Sequence, residues 1–400
     1  MTEEAVCKKF FDIIIVGGSF SGLTTAISIA NIDKKIKIAV IDRQDFLNKE
    51  RPNDGKALAI SNHSINFLKQ ISAISNQLLE NSAPILDIKI TDNQSPITLD
   101  FIGSKNSNDN SFGFIISSFD LYNQLKERAL KLNNIEFICP VFYQKIDFFP
   151  NENNIYLDNG LILNAKLLIA CDGRDSNIRK LCNINIIEKT YHQTAIIFNI
   201  NHQVSHQYSA WEHFFTGGPL AILPLKDTNN SAIVWIVPNS KAEILLKLDE
   251  ENFITQLQKK LKNHLGKIQI ISKKFIYPLN LIESESLFYN HAMLIGDSAF
   301  GLHPIAGQGF NLSICGIETF YNLVKNSSAF ITEDFDNSLI LEHQKQFKRI
   351  AKKMIIATDL INSIFESDNL ILKASRKMGI FAIDKIEYLK KFFIKNAGGY

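Results

Sequence analysis

Residues 11–16 (FDIIIV) form a largely apolar, β-branched run that stops at Gly17-Gly18-Ser19-Phe20-Ser21-Gly22, and this junction constrains the fold more than any other feature. Such a run suits a parallel strand buried on both faces, and the glycines end it in a turn. Residues 21–30 are small and apolar and predict a helix, and residues 36–42 (IKIAVID) predict a second buried strand. Strand, turn, helix and strand have the length of a βαβ unit, so the chain opens as a Rossmann-type fold. Gly17 permits the tight reversal, and Gly22 permits close packing of helix on strand. Ser19 stands where a glycine usually lets backbone approach a pyrophosphate; it is the next smallest choice and leaves amides at the positive end of the helix. Asp42 lies 20 residues beyond Gly22, at the end of the second strand, where a carboxylate accepts hydrogen bonds from an adenosine ribose. The alternative is a turn that only packs helix on strand. Where a dinucleotide is held, the unit leaves FAD and NAD equally open.

Four hundred residues, 46% apolar and 21% charged, suffice for two domains with substantial cores. The 43 basic and 41 acidic residues give a net charge of +2, which argues against nucleic acid as a partner. Five cysteines (Cys7, Cys139, Cys171, Cys182, Cys315) without a CxxC pair argue against a thiol metal site and for reducing, cytoplasmic surroundings. No signal peptide precedes the first strand, and no apolar run reaches the roughly 18–20 residues of a spanning helix.

Further along, Ser61 is placed to cap a helix through Phe67 and Leu68, and residues 85–90 and 97–101 alternate like antiparallel strands. Residues 121–132 have helical period, a hairpin is expected around residues 151–154, and residues 165–170 form another buried strand. Residues 188–278 change to longer strand-like stretches (194–200, 219–223, 232–237) with one polar helix near 253–265. Residues 292–295 return to the buried-strand type, and nearly everything after Gly309 reads as helix. The expected architecture is α/β, or α+β taken as a whole. A nucleotide-binding domain (1–80, 106–187, 281–330) is interrupted by a mostly antiparallel substrate domain (81–105, 188–280) and followed by a helical region (331–400).

Two further motifs favour flavin. The strand at 167–170 ends in Cys171-Asp172-Gly173-Arg174-Asp175-Ser176-Asn177-Ile178-Arg179, a DGxxSxxR pattern in which Ser176 is placed to cap a helix. The strand at 293–295 ends in Gly296-Asp297-Ser298-Ala299 and continues through His303-Pro304-Ile305-Ala306-Gly307-Gln308-Gly309-Phe310-Asn311. A carboxylate at a strand's C-terminal end, such as Asp297, can accept hydrogen bonds from the polyol that links an isoalloxazine to its diphosphate. Gly307 and Gly309 let backbone pass close to a flat ligand. The helix that follows aims free N–H groups at the ring and stabilises negative charge on reduced flavin.

With these motifs the sequence resembles the class A flavoprotein aromatic monooxygenases of the p-hydroxybenzoate hydroxylase-like fold, and among them the ubiquinone-biosynthesis hydroxylases. Residues 54–60 (DGKALAI), residues 357–365 and the tail at 378–398 resemble further family segments. The resemblance implies contact with FAD from Gly17, Ser19, Phe20, Ser21, Gly22, Asp42, Arg43, Lys56, Asp172, Asp297, Gly307, Gln308, Gly309, Phe310 and Asn311. It places His303 and Pro304 at the catalytic centre. It also implies reduction by NADPH or NADH, capture of O2 as a flavin C4a-hydroperoxide, and transfer of one oxygen to a phenolic, prenylated quinone precursor, with other ubiquinone-biosynthesis enzymes as partners. Lys56, Phe119 and Phe300 depart from the family pattern, where Arg, Arg and His are usual. Lys56 offers a point charge without the bidentate fork, and the two phenylalanines bear on FAD retention and the pocket near the ring.

His303 is either a proton-transfer group or a histidine that fixes the loop. His202, His206 and His213 lack ligand spacing, so no metal site is expected. Trp211, Phe214, Phe215, Pro219 and Leu220 belong to the substrate domain, as pocket lining or as core. Between residues 383 and 397, Ile386, Leu389, Phe393 and Ala397 recur at helical spacing opposite Lys385, Lys391 and Lys395. Such a helix either docks on its own domain or lies on the inner face of a membrane as a peripheral contact. Two rivals to ring hydroxylation are another flavin reaction, epoxidation or prenyl reduction, and a non-catalytic FAD-holding scaffold of a quinone-synthesis complex.

Overall fold

The computed structural model describes residues 7–49, 52–92, 98–102, 111–262, 264–302, 308–327 and 337–366. The chain runs β1 (Lys8–Val16), α1 (Phe20–Ala30), β2 (Ile38–Ile41), β3 (Ala57–Ser61), α2 (Asn62–Gln70), α3 (Asn76–Glu80), β4 (Ala83–Pro84), β5 (Asp87–Asp92), β6 (Thr98–Ile102), β7 (Gly113–Ser117) and α4 (Ser118–Leu130). It continues with β8 (Ile135–Ile138), β9 (Tyr143–Phe148), β10 (Asn153–Leu157), β11 (Ile162–Ala170), α5 (Asn177–Leu181), β12 (Ile186–His202), β13 (Ser209–Phe215), β14 (Gly218–Pro224) and β15 (Asn230–Pro238). The remainder is α6 (Asn239–Lys247), α7 (Glu250–Leu261), β16 (Ile268–Ile270), β17 (Phe275–Ser284), β18 (Phe288–Tyr289), β19 (Ala292–Leu294), a 3-10 turn at Gly296–Ser298, β20 (Phe300–Gly301), α8 (Gln308–Lys325) and α9 (Asn337–Glu366).

In the first sheet β1 lies between β11 and β2, parallel to both, and β19 and β8 extend this parallel core on either side. The continuous apolar run of β1 follows from this position. Ile13 and Ile15 enter one hydrophobic core while Ile14 and Val16 enter another, so neither face tolerates a polar residue. Parallel strands also bring the C-terminal ends of β1, β11 and β19 to one edge, the edge at which such folds hold ligands.

The second sheet has nine strands, with β20, β17, β12, β15, β14, β13, β5 and β6 in path order and β16 alongside β12. One face buries Phe198, Ile222 and Trp235 against Phe253 and Leu257 of α7. The opposite face carries Ala195 and Ile236 into the same core as Phe300 and Leu302. A small antiparallel sheet, β3-β7-β4, packs Ala83 and Ile115 with Ala210 of β13 on that opposite face.

The structure differs from expectation at several points. Residues 239–261 hold two helices where one was expected, because α6 starts directly after Pro238, a residue that suits a helix start. β4 pairs with β7 and joins the small sheet, whereas β5 and β6 join the large one. The large sheet runs past residue 280, since β17 ends at Ser284 and pairs with β20 through Ile282 and Gly301. The amphipathic segment at 383–397 lies outside the described residues.

Candidate active site

The glycine turn has no room for side chains. Gly17 has a φ of +110°, and a Cβ there would lie 2.4 Å from the carbonyl oxygen of Cys171; a Cβ on Gly22 would lie 1.8 Å from the Gly17 carbonyl. Strand β1, helix α1 and the end of β11 are thereby drawn together. The Gly18 amide donates to Asp42 Oδ2 at 2.6 Å and the Gln44 amide to Asp42 Oδ1 at 2.7 Å. These bonds hold the carboxylate at the end of β2 with acceptor capacity to spare. No basic or acidic side chain occupies the first turn of α1, whose amide end faces this turn.

The DGxxSxxR segment is built around its own hydrogen bonds. Asp172 Oδ2 accepts from the amides of Asn177 and Ile178 at 2.9 and 3.2 Å, and Ser176 Oγ accepts from the Arg179 amide, so α5 is capped as the sequence predicts. Asp172 Oδ1 is buried with no hydrogen-bond partner among the described residues. Arg179, 2% exposed, donates to the carbonyls of Ser298 at 2.9 Å and Arg174 at 2.8 Å. Arg174 in turn donates to the carbonyls of Asn280 and Leu302. The two arginines clip the second motif onto the third, a role that spacing alone did not reveal.

At the third strand end, Gly296 has a φ of +75° and would place a Cβ 2.7 Å from Ser21 Oγ, so this turn abuts the start of α1. Asp297 is half-buried and makes no hydrogen bond or ion pair with a described residue. Burial pushes its carboxyl pKa up, partly opposed by the Arg174 charge. Two acidic groups at neighbouring strand ends, Asp172 and Asp297, therefore hold acceptor oxygens without a donor among the described residues. That arrangement suits a ligand rich in hydroxyls, and with the amide-lined turn beside it the residues fit FAD.

The other predicted residues fall into distinct places. Lys56 pairs with Asp54 at 2.8 Å and sits 4.1 Å over the Phe275 ring. Burial, the largest single influence, opposes its charge, but Asp54 and Tyr277 together outweigh this and hold its pKa above the ordinary lysine value. Asn311 donates from Nδ2 to the Ala59 carbonyl at 2.9 Å and accepts at Oδ1 from the Ser61 amide at 3.0 Å, strapping α8 to β3. Phe310 packs on Phe20, which meets Tyr122 edge-on. Arg43 is exposed, and Ser19 is the N-cap position of α1. Gln308 and Gly309 open α8, while His303, Pro304 and Gly307 lie outside the described residues. Phe300 is buried edge-on against Phe347 of α9, 5.2 Å between ring centres, so this departure from the family pattern feeds the core.

The profile of the FAD binding domain family matches residues 156–358. The chain is 28% identical to ubiquinone hydroxylase UbiL of Rhodospirillum rubrum over 98% of this chain and 90% of that protein. It is 25% identical to ubiquinone hydroxylase UbiM of Neisseria meningitidis, over 98% and 87%. It is 23% identical to the mitochondrial ubiquinone biosynthesis monooxygenase COQ6 of Dictyostelium discoideum, over 98% and 92%. Among solved structures, p-nitrophenol 4-monooxygenase PnpA from Pseudomonas putida DLL-E4 superposes with a TM-score of 0.79 at 15% identity, covering 98% of this chain and 99% of that one. This likeness shows the fold that the resemblance implied. With its three strand ends meeting at an amide-lined turn and a family profile spanning half its length, the chain belongs to the FAD binding domain family.

Proposed function

We propose that the chain is an FAD-dependent monooxygenase that hydroxylates the aromatic ring of a phenolic, prenylated intermediate of ubiquinone biosynthesis, with NADH or NADPH as donor and O2 as co-substrate. The observation that carries the reading is the pair Asp172 Oδ1 and the Asp297 carboxylate, acceptors that have no donor among the described residues and lie at strand ends beside the glycine turn. Bound there, FAD supplies the reducing and O2-activating chemistry that side chains lack. Gly17 and Gly22 admit the diphosphate to the amides that open α1, and Asp42 takes the ribose. Asp297 would accept from the linking polyol, and the amides opening α8 would favour negative charge on a ring held there. The large sheet's face opposite α7 holds the phenol and excludes water. The substrate class follows from the relatives' names, ubiquinone hydroxylase and ubiquinone biosynthesis monooxygenase.

The resemblance assigns His303 and Pro304 to the catalytic centre, and both lie outside the described residues. The purified protein should be yellow, should oxidise NADH or NADPH faster when a 2-prenylphenol is present, and should yield a product with one added oxygen by mass spectrometry. Donor oxidation that the phenol does not accelerate, with no oxygenated product, rejects the reading in favour of an FAD-holding scaffold. Coupled hydroxylation that persists in His303→Asn removes His303 from the chemistry. No helix among the described residues is long and apolar enough to cross a membrane.

A further inference from the structure

Glu212 lies in the middle of β13, and its neighbours are fixed by register. It pairs with Ala221 of β14, Ala221 with Val234 of β15, Val234 with Ile197 of β12, and Ile197 with Phe275 of β17. Directly opposed residues share a face, so this row runs across the side of the sheet that looks away from α7. Two residues along on one side, Ala210 and Leu223 are covered by Ala57 and Ala59 of β3, to which the start of α8 is strapped through Asn311. On the other side, Ile236 and Ala195 are covered by Phe300 and Leu302, and Leu302 leads directly into His303. Glu212 thus lies between the flank covered by β3, to which α8 is strapped, and the flank covered by Phe300 and Leu302.

A carboxylate in an apolar row is costly unless something completes it. Glu212 is only partly exposed, and no hydrogen bond or ion pair joins it to a described residue. The charged or titratable groups around this face are Asp92 beside Phe214; Lys56, Asp54 and Tyr277 at the far end of the row, where Lys56 and Asp54 pair with each other; and, in the core that Ile236 and Ala195 share, Tyr191, whose hydroxyl donates to Asp359 of α9, itself paired with Lys189. None of them neutralises Glu212. Burial alone raises its pKa to about 8.

We infer that Glu212 is the catalytic base of the proposed hydroxylation, receiving the proton of the substrate's phenolic hydroxyl. The inference rests on the function proposed above. The phenolic O–H bond breaks, an O–H bond forms on the carboxylate, and the electron pair stays on the phenolic oxygen. Electron density rises on the ring carbons ortho and para to it, where an electrophilic oxygen atom from O2 adds as a hydroxyl while the second oxygen leaves as water, two electrons and one proton coming from the nicotinamide donor and two protons from solvent. The attacked carbon then loses its hydrogen as a proton to solvent, and Glu212 returns its own proton to the phenolate oxygen. A base whose pKa lies near the working pH is well matched to this exchange. An apolar row broken by one carboxylate also selects a phenol with a greasy substituent over a charged aromatic acid.

The test compares wild-type holoenzyme with Glu212→Gln and Glu212→Asp, using 2-prenylphenol as the probe and FAD absorbance as a check on folding. Wild-type kcat/KM should rise with pH through a group near 8. Glu212→Gln should keep its FAD, lose roughly a hundredfold in kcat/KM near neutrality and lose that limb of the profile, and Glu212→Asp should recover part of both. A Glu212→Gln enzyme with wild-type rates and the wild-type profile overturns the inference and leaves the proposed function standing. A wild-type holoenzyme that never hydroxylates the probe overturns the function, and the inference with it. Should Glu212→Gln fail to hold FAD, the wild-type profile decides, and a kcat/KM that is flat between about pH 6 and 9 rules Glu212 out.

Discussion

Arg179 sits among backbone carbonyls, and burial pushes its pKa down although Asp172, Asp175 and Glu188 oppose the shift. The planar fork reaches the carbonyls of both Ser298 and Arg174, which a single ammonium cannot do in the same way. Removing it leaves buried acceptors without donors, so Arg179→Ala should cost about 3 kcal/mol in urea unfolding and reduce FAD retention. Arg179→Lys should recover less than half of that loss; a lysine variant as stable as wild type contradicts the clip. The placement of Asp42, Asp172 and Asp297 at strand ends was legible in the sequence because each follows an apolar run, where a strand must stop. Glu212 was not, because its meaning depends on register across five strands drawn from distant parts of the chain. The position of Phe300 in the core was equally invisible, since a motif records which residue occurs and not which way it turns.

Helices α2 and α8 are joined by His63 Nε2 and Glu318 Oε2 at 2.6 Å. The hydrogen bond to Glu318 raises the His63 pKa against the opposing effect of burial. A raised folded-state pKa means stability that is complete below the unfolded value of 6.5 and fades as pH climbs through the folded value. His63→Gln should therefore lower the urea midpoint at about pH 6 and match wild type at about pH 9, and an equal loss at both would show that charge is not involved. At this scale the long apolar strands β1 and β11 and helix α1 announced themselves through period and length. Helix α6 did not, since it is short and buries only Ala242 and Leu245. Strands β3 and β7 escaped notice because the residues they pair, Ala57 with Ser117 through Ser61 with Gly113, are too far apart in sequence to show as a hairpin.

Across the whole molecule, β1 feeds two cores, and the face bearing Glu212 is flanked by the small sheet on one side and by Phe300 and Leu302 on the other, so the candidate site draws on all three sheets. Its three strand ends come from widely separated stretches of chain, at Gly17, Asp172 and Asp297. The arginine clips close onto Asn280, Ser298 and Leu302. A fragment ending at Lys274 should accordingly purify without flavin colour even where α1 and β1 form, and a yellow fragment would show that the third strand end is dispensable. During synthesis the arginines at positions 174 and 179 emerge from the ribosome more than a hundred residues ahead of their partners at 280–302. Until that later segment arrives they are charged groups awaiting a place, and the nascent chain depends on surrounding water, or on a chaperone, to keep them from the wrong one.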